Sequence, residues 1–249
     1  MQITQRIRKS SASAQVRRNL VRYIKEGRFT GPRLPSEDDI SSMFGVSRIT
    51  VRDALANLEN SGYVSRLQGR GTVINRTICS LTGRISEGRP FDALIRAQNM
   101  VPSMAASTVK KLPITPEIKK ALQTGAGEMY QVERLFLGNG DPLILLDSYL
   151  TGDLLDSPVD GAPTLERLQE RIFSPNIAYD LVNIHPIQAS AHLAGKLGLP
   201  VGLPMLMFET ISMDQAERPL LVNHEFYHPD KIRFCEVRLA DYRMNNALN

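Results

Sequence analysis

Arg48 and Arg52 lie one helical turn apart in Val46-Ser47-Arg48-Ile49-Thr50-Val51-Arg52. An arginine carries a planar fork of donors that matches guanine O6 and N7, and a helix entering the DNA major groove reads base edges with its first turns. The pair therefore points to sequence-selective binding of double-stranded DNA. The plainer alternative is that both side chains solvate a helix surface or pair with Asp53 or Glu59.

The flanking segments favour the first reading, because they build what such a helix needs. Val16, Leu20, Tyr23 and Ile24 form the apolar face of a helix over about Ser13–Glu26, stopped by Gly27. Gly31-Pro32 is a turn. Ser36 is an N-cap, with Asp39 placed to close a capping box, and Ile40, Met43 and Phe44 are the expected buried side of a second helix. Gly45 permits a sharp turn, Ser47 caps a third helix, and Val51, Leu55 and Leu58 are its core stripe up to Gly62. Tyr63–Arg66 and Thr72–Ile74 then flank Leu67-Gln68-Gly69-Arg70-Gly71, a hairpin with an arginine at its tip that can reach phosphates or a minor groove. The two glycines there are too few for a nucleotide-binding loop.

Charge agrees. Residues 1–76 hold 14 lysines and arginines against 6 acids, and the other residues hold 16 against 20. A basic head on an acidic body is the footprint of a phosphate-backbone binder. The 249 residues suffice for two domains. Cys79 and Cys235 make neither a metal spacing nor a disulfide framework, which fits reduced thiols in the cytoplasm. No apolar run approaches a membrane span, and Arg6, Arg8 and Lys9 are not followed by the apolar segment of a signal peptide.

The head resembles the GntR superfamily of bacterial transcription regulators. The resemblance rests on Leu34-Pro35-Ser36-Glu37, Phe44-Gly45-Val46-Ser47-Arg48, Thr50-Val51-Arg52, Ala54-Leu55, Leu58, Gly62 and Gly69-Arg70-Gly71-Thr72. It implies a winged helix-turn-helix that binds a short palindrome as a dimer, with DNA contacts at Arg48, Arg52 and Gly69. Together with the residue reading, this gives a DNA-binding set of Ser36, Ser47, Arg48, Thr50, Arg52, Gly69 and Arg70. Two departures are Asp38, where many relatives carry arginine, and Gly31-Pro32 in inverted order.

Residues 77–90 lack periodicity and read as a linker, giving a head of 1–76 and a body of 91–249. In the body one pattern occurs twice. A helix from Pro116 to Leu122 precedes strands Met129–Leu137 and Leu143–Leu150, joined at Asn139-Gly140-Asp141-Pro142. A helix Ser190–Leu197 precedes strands Met205–Met213 and Leu220–Tyr227, joined near Gln215–Pro219. Two helix-plus-hairpin halves sharing one antiparallel sheet follow.

That layout resembles the UTRA effector-sensing domain of the HutC subfamily, through Arg134, Asp141-Pro142-Leu143, Ser148-Tyr149-Leu150, Ala194 with Leu197-Gly198-Leu199-Pro200, and Tyr227. The fold class implied is α+β: a winged helix-turn-helix followed by a chorismate-lyase-like antiparallel sheet that binds a small molecule without catalysis. Polar positions in otherwise apolar strands nominate Arg134, Asp147, Tyr149, Glu209, His224, Glu225 and Tyr227 as effector contacts. Relatives that bind sugar phosphates carry a second arginine where this chain has Phe136, which argues for a larger, more apolar or partly cationic ligand. His224 and His228 flank a strand end and share no face, His185 and His192 read as structural, and no metal or cofactor is expected. The expected protein is a cytoplasmic, homodimeric repressor released from or held on operator DNA by a metabolite. A ligand-independent DNA binder, an activator, and an enzyme of lyase-like fold are the rivals.

Overall fold

The computed structural model describes residues 12–67, 69–85, 90–152 and 177–238. Arg6, Arg8 and Lys9, Gln68 of the hairpin, linker residues 86–89, and body residues 153–176 and 239–249 lie outside them.

The head contains α1 (Ala12–Lys25), α2 (Glu37–Phe44), α3 (Arg48–Asn60), β1 (Val64–Leu67), β2 (Gly71–Ile74) and α4 (Arg76–Ser80). Its core is Val16, Leu20 and Ile24 of α1, Ile40 of α2, and Val51, Ala54, Leu55 and Leu58 of α3, closed by Tyr63, Val64, Ile74 and Cys79. Ser36 closes the expected capping box with Asp39, and Gly45 ends α2 at φ 62°. Ser47 caps α3 by accepting from Thr50 N at 3.2 Å. Replacing Ser47 with alanine should cost about 1 kcal/mol, read as a lower urea midpoint of the head. Met43 departs from expectation: it is 49% exposed, while Ile40 and Phe44 take the inner side of this short helix. Part of the expected linker is ordered as α4, whose Cys79 joins the core and whose Arg76 bonds the carbonyls of Phe29 and Gly31 at 2.8 Å.

The body contains α5 (Phe91–Ala97), β3 (Pro102–Pro113), α6 (Pro116–Ala121), β4 (Glu128–Gly138), β5 (Asp141–Leu150), β6 (Tyr179–Gln188), β7 (Pro204–Met213) and β8 (Pro219–Tyr227), with α7 (Ala191–Leu197) between β6 and β7. Six antiparallel strands run in the order β3-β4-β5-β8-β7-β6. The sheet is thus two β-α-β-β units, β3-α6-β4-β5 and β6-α7-β7-β8, meeting where β5 pairs β8. This extends the repeat legible in the sequence by one edge strand in each half. Leu193, Ala194 and Leu197 of α7 pack with Leu145, Met205 and Phe226, and Ile118 of α6 packs near Met129 and Val222. Leu94 and Ile95 of α5 pack with Ile144, Phe208 and Tyr227 on the opposite face.

The chain divides differently from the sequence boundaries. One unit is Met1–Arg84 with Cys235–Asn249, and the other is Ile85–Phe234. The reason is a return of the C-terminal segment: Cys235 N donates to Gly83 O at 3.1 Å and Cys235 pairs with Arg84 as an isolated bridge. No helix among the described residues is long and apolar enough to cross a membrane.

Candidate DNA interface and effector site

Both arginines of α3 project from its outer side and are held by acids of α2. Arg48 Nε donates to Asp38 Oδ1, and Arg52 Nε donates to Glu37 Oε2 at 2.8 Å. Their side chains remain 63% and 66% exposed, so both guanidinium groups stay presented to solvent. The Glu37 hydrogen bond and charge hold Arg52 above its ordinary pKa, so it is a cation at any physiological pH. Of the alternative partners, Glu59 bonds Arg66 at 3.0 Å, not Arg52.

The expected serine and threonine contacts have structural work at the same end of the helix. Ser47 Oγ lies 2.9 Å from Thr50 Oγ1, and Ser36 Oγ donates to Asp39 Oδ2 at 2.6 Å. They fix the starts of α3 and α2, from which Arg48, Arg52, Asp38 and Glu37 project. The wing register puts Leu67 opposite Gly71, with Gly69 at φ 71° and Arg70 exposed between two glycines in the left-handed region. Sequence reading passed over Ile49, which is 73% exposed at the start of α3. An aliphatic side chain off the core stripe of a recognition helix is suited to a thymine methyl group, and its position beside Arg48 was the available signal.

The seven body candidates fall on two opposite faces of the sheet. The ladder pairs Arg134 with Leu146 and Leu146 with Glu225, so Arg134, Glu225 and Tyr227 share the face that α5 covers. Glu133, Asp147, His224 and Glu209 make a second cross-strand row on the face of α6 and α7, with Tyr149 beside it. Side chains alternate along a strand, so adjacent His224 and Glu225 cannot face one site. The single seven-residue site read from the sequence is therefore divided.

On the α5 face, Arg134 is 2% exposed and donates to Ser148 Oγ at 2.8 Å, which donates to Asn223 Oδ1 at 2.6 Å. Burial brings the Arg134 pKa down to about 10, which still leaves a cation at neutral pH. Two strands away, on the same row, Glu225 accepts from Tyr227 OH, and burial pushes the Glu225 carboxyl above its usual range. Strand spacing puts the two backbone positions about 10 Å apart, with apolar Leu146 between and Phe208 next in the row. Ser148, Asn223 and Phe208 are functional candidates the sequence reading missed; the period-2 alternation with Arg134 and Glu225 was their signal. Among the described residues this face thus offers a cationic pole, an acidic pole and an aromatic wall of Phe208, Tyr227 and Phe234, with ring centroids 4.5–5.3 Å apart.

On the α6–α7 face Glu133 is satisfied by its neighbours, while Asp147 Oδ1 and His224 Nε2 are buried without a hydrogen-bond partner among the described residues. Glu133 accepts from Lys196 at 2.6 Å and lies 2.8 Å from His192 Nε2; burial raises its carboxyl, but these two bonds outweigh that and hold it low. Glu209 stands 3.5 Å from His224, whose pKa burial lowers. Asp147 is buried beside them, and that burial raises its carboxyl. No group of three or more His, Cys, Asp or Glu suited to a metal ion occurs among the described residues.

A winged helix-turn-helix with exposed arginines on its third helix, joined to an antiparallel sheet that carries buried polar groups on both faces, defines a ligand-sensing DNA-binding regulator as a class. Residues 12–74 match the bacterial regulatory proteins of the gntR family and residues 97–233 match the UTRA domain, and the chain belongs to this family of UTRA-bearing GntR transcription regulators. It is similar to the HTH-type transcriptional regulator Rv0792c of Mycobacterium tuberculosis, 29% identical over 90% of this chain and 84% of that one. It is also similar to the probable fructoselysine utilization operon transcriptional repressor of Escherichia coli, 26% identical over 93% of this chain and 96% of that one. The fold matches the crystal structure of the possible transcriptional regulator YydK of Bacillus subtilis with a TM-score of 0.65 and 22% identity, over 93% of this chain and all of that one.

Proposed function

We propose that this regulator is a metabolite-responsive repressor acting in the cytoplasm as a homodimer, without enzymatic activity. Two heads bind half-sites about 10 base pairs apart, with Arg48, Arg52 and the wing at Gly69 and Arg70 on DNA. The effector occupies the α5 face of the sheet, between Arg134 and Glu225. The observation that carries this reading is the placing of a buried arginine and a buried carboxyl on one face beside an aromatic wall. An E. coli relative named as a repressor supports the sign of regulation. The two poles favour an effector with an anionic or strongly accepting end and a cationic or hydroxylated end.

The chain itself supplies a route from this site to the head. It crosses between the units at Arg84–Ile85 and at Phe234–Cys235. On the body side, Phe234 lies 4.5 Å from both Phe208 and Tyr227, ring to ring. On the head side, Arg84 is 5% exposed, faces Glu236 at 3.8 Å, bonds Ser61 O at the end of α3 at 2.9 Å, and sits 5.2 Å from the Tyr63 ring. A ligand that shifts Tyr227 thereby has covalent and hydrogen-bonded neighbours leading to the recognition helix. Occupied and empty states coupled in this way must show reciprocity, operator DNA weakening the effector by the factor that the effector weakens DNA.

A thermal-shift panel of amino acids, amino sugars, sugar phosphates and aromatic acids tests the reading on the full-length chain. A binder at about 100 times its Kd stabilises by about 2.7 kcal/mol. That stabilisation, together with release from operator, is expected. Turnover of a bound compound, or failure of every zwitterionic and anionic class, would refute the sensor reading.

A further inference from the structure

We propose that Asp38 is a specificity-determining residue of the DNA interface, holding the Nε edge of Arg48 so that the arginine meets a guanine through its Nη edge, and offering its second carboxylate oxygen to a cytosine N4 amino group beside it. The inference rests on the reading of α3 as the recognition helix.

Asp38 does not cap its own helix. It lies in the acidic first turn of α2, but the cap there is made by Ser36 with Asp39. Its partner is Arg48, ten residues on, and both side chains are more than half exposed. An exposed ion pair adds little to stability, so the pair is not a fastening of the fold. Arg48 also stands at the first position of α3, where the helix dipole disfavours a cation, and α3 has no acid in its own first turn. The chain thus places an arginine where local energetics oppose it and brings an acid from another helix to meet it. Glu37 and Arg52 repeat the arrangement one turn along, making two rungs between the start of α2 and the outer side of α3.

On a basic head such carboxylates weaken attraction to phosphate whatever the sequence. They are useful only if base edges are read. A guanidinium bound at Nε keeps its two terminal nitrogens in the geometry that fits guanine O6 and N7, and a carboxylate is the acceptor that cytosine N4 requires. Among the described residues, Arg48 is the one hydrogen-bond partner of the Asp38 carboxylate, which leaves Oδ2 for that amino group. Asp38 and Arg48 together therefore form a donor–acceptor couple that selects a G·C pair next to a C·G pair and rejects looser phosphate contacts by Arg48.

The test uses the full-length chain and duplex DNA selected from a random library by the wild type. Binding to the selected duplex and to a scrambled duplex is measured by fluorescence anisotropy across salt concentrations, for wild type and D38N. Expected for D38N are tighter binding to scrambled DNA, a salt slope steeper by about one phosphate contact, and a selected-to-scrambled ratio reduced about ten- to hundredfold. Reselection with D38N should change the preferred bases at one position per half-site, and its melting temperature should match the wild type. An unchanged ratio and unchanged selected sequence for D38N would overturn the proposal while leaving α3 as the reader. Failure of the wild type to select any sequence would instead overturn the recognition-helix reading on which the proposal rests.

Discussion

Replacing Arg52 with alanine is expected to lower affinity for the selected operator about ten- to hundredfold, with a much smaller loss on scrambled DNA. Arg52 contributes nothing to the core: its side chain is 66% exposed and its hydrogen bond is to Glu37. The head should therefore melt at the wild-type temperature. The loss on operator has two sources. A bidentate contact to guanine disappears, and the Glu37 carboxylate, no longer neutralised, faces the negative DNA. For that reason the double replacement of Glu37 and Arg52 by glutamine and alanine should recover part of the affinity for scrambled DNA but none of the selectivity. Titration of both proteins on selected and scrambled duplexes, beside their melting curves, measures the effect. Full affinity and selectivity in the Arg52→Ala protein would remove α3 from the interface.

The second large effect is expected at Glu225, where one change should raise stability and abolish the response to effector. Burial lifts the Glu225 carboxyl above its usual range, against the hydrogen bonds of Tyr227 and Thr210 that favour its charge. The folded chain then holds the proton at pH values where the unfolded chain has lost it. Stability falls as pH climbs from the ordinary carboxylate range through the raised value. Glutamine keeps an acceptor for the Tyr227 hydroxyl and has no proton to lose. Glu225→Gln should match the wild type near pH 4 and melt higher near pH 8. Each tenfold change in proton affinity is worth about 1.4 kcal/mol, about 3–6 °C for a domain of this size. Comparing the two proteins isolates Glu225 from Asp147 and His224, whose pKa values burial also moves. A buried acid kept at such a cost fits a binding role, so the same variant should lose effector-induced release from DNA. A variant that is less stable at pH 8 and still releases normally would make Glu225 a structural residue.

The head was legible because its signals are local. Ser36 with Asp39, Gly45, Ser47 and the Val51-Leu55-Leu58 stripe each act within one turn, and each stands where the sequence put it. Only Met43 went astray, since an eight-residue helix needs a narrower buried stripe than three apolar positions suggest. In the body, the two hairpins were legible from alternation and from their Asn-Gly and Pro turns. Edge strands were not: β3 lacks a regular apolar alternation, and β6 carries Pro186, which lacks the N–H a ladder needs and reads as a strand breaker. Which candidates share a site depends on register between strands distant in sequence, such as Leu146 opposite Glu225. Alternation within β8 alone nevertheless separates His224 from Glu225. The return of Cys235 to Gly83 spans most of the chain and has no local signature.

The central claim is that one ligand on the α5 face of the sheet controls the grip of α3 on DNA. It is tested most directly by full-length protein bound to its selected operator and titrated with the compound that most raises its melting temperature, in wild type and Arg134→Met. The account predicts release in the wild type, with the compound's affinity falling by the same factor when operator is present, and neither effect in the variant. Binding that stabilises the wild type yet leaves operator affinity unchanged would contradict it.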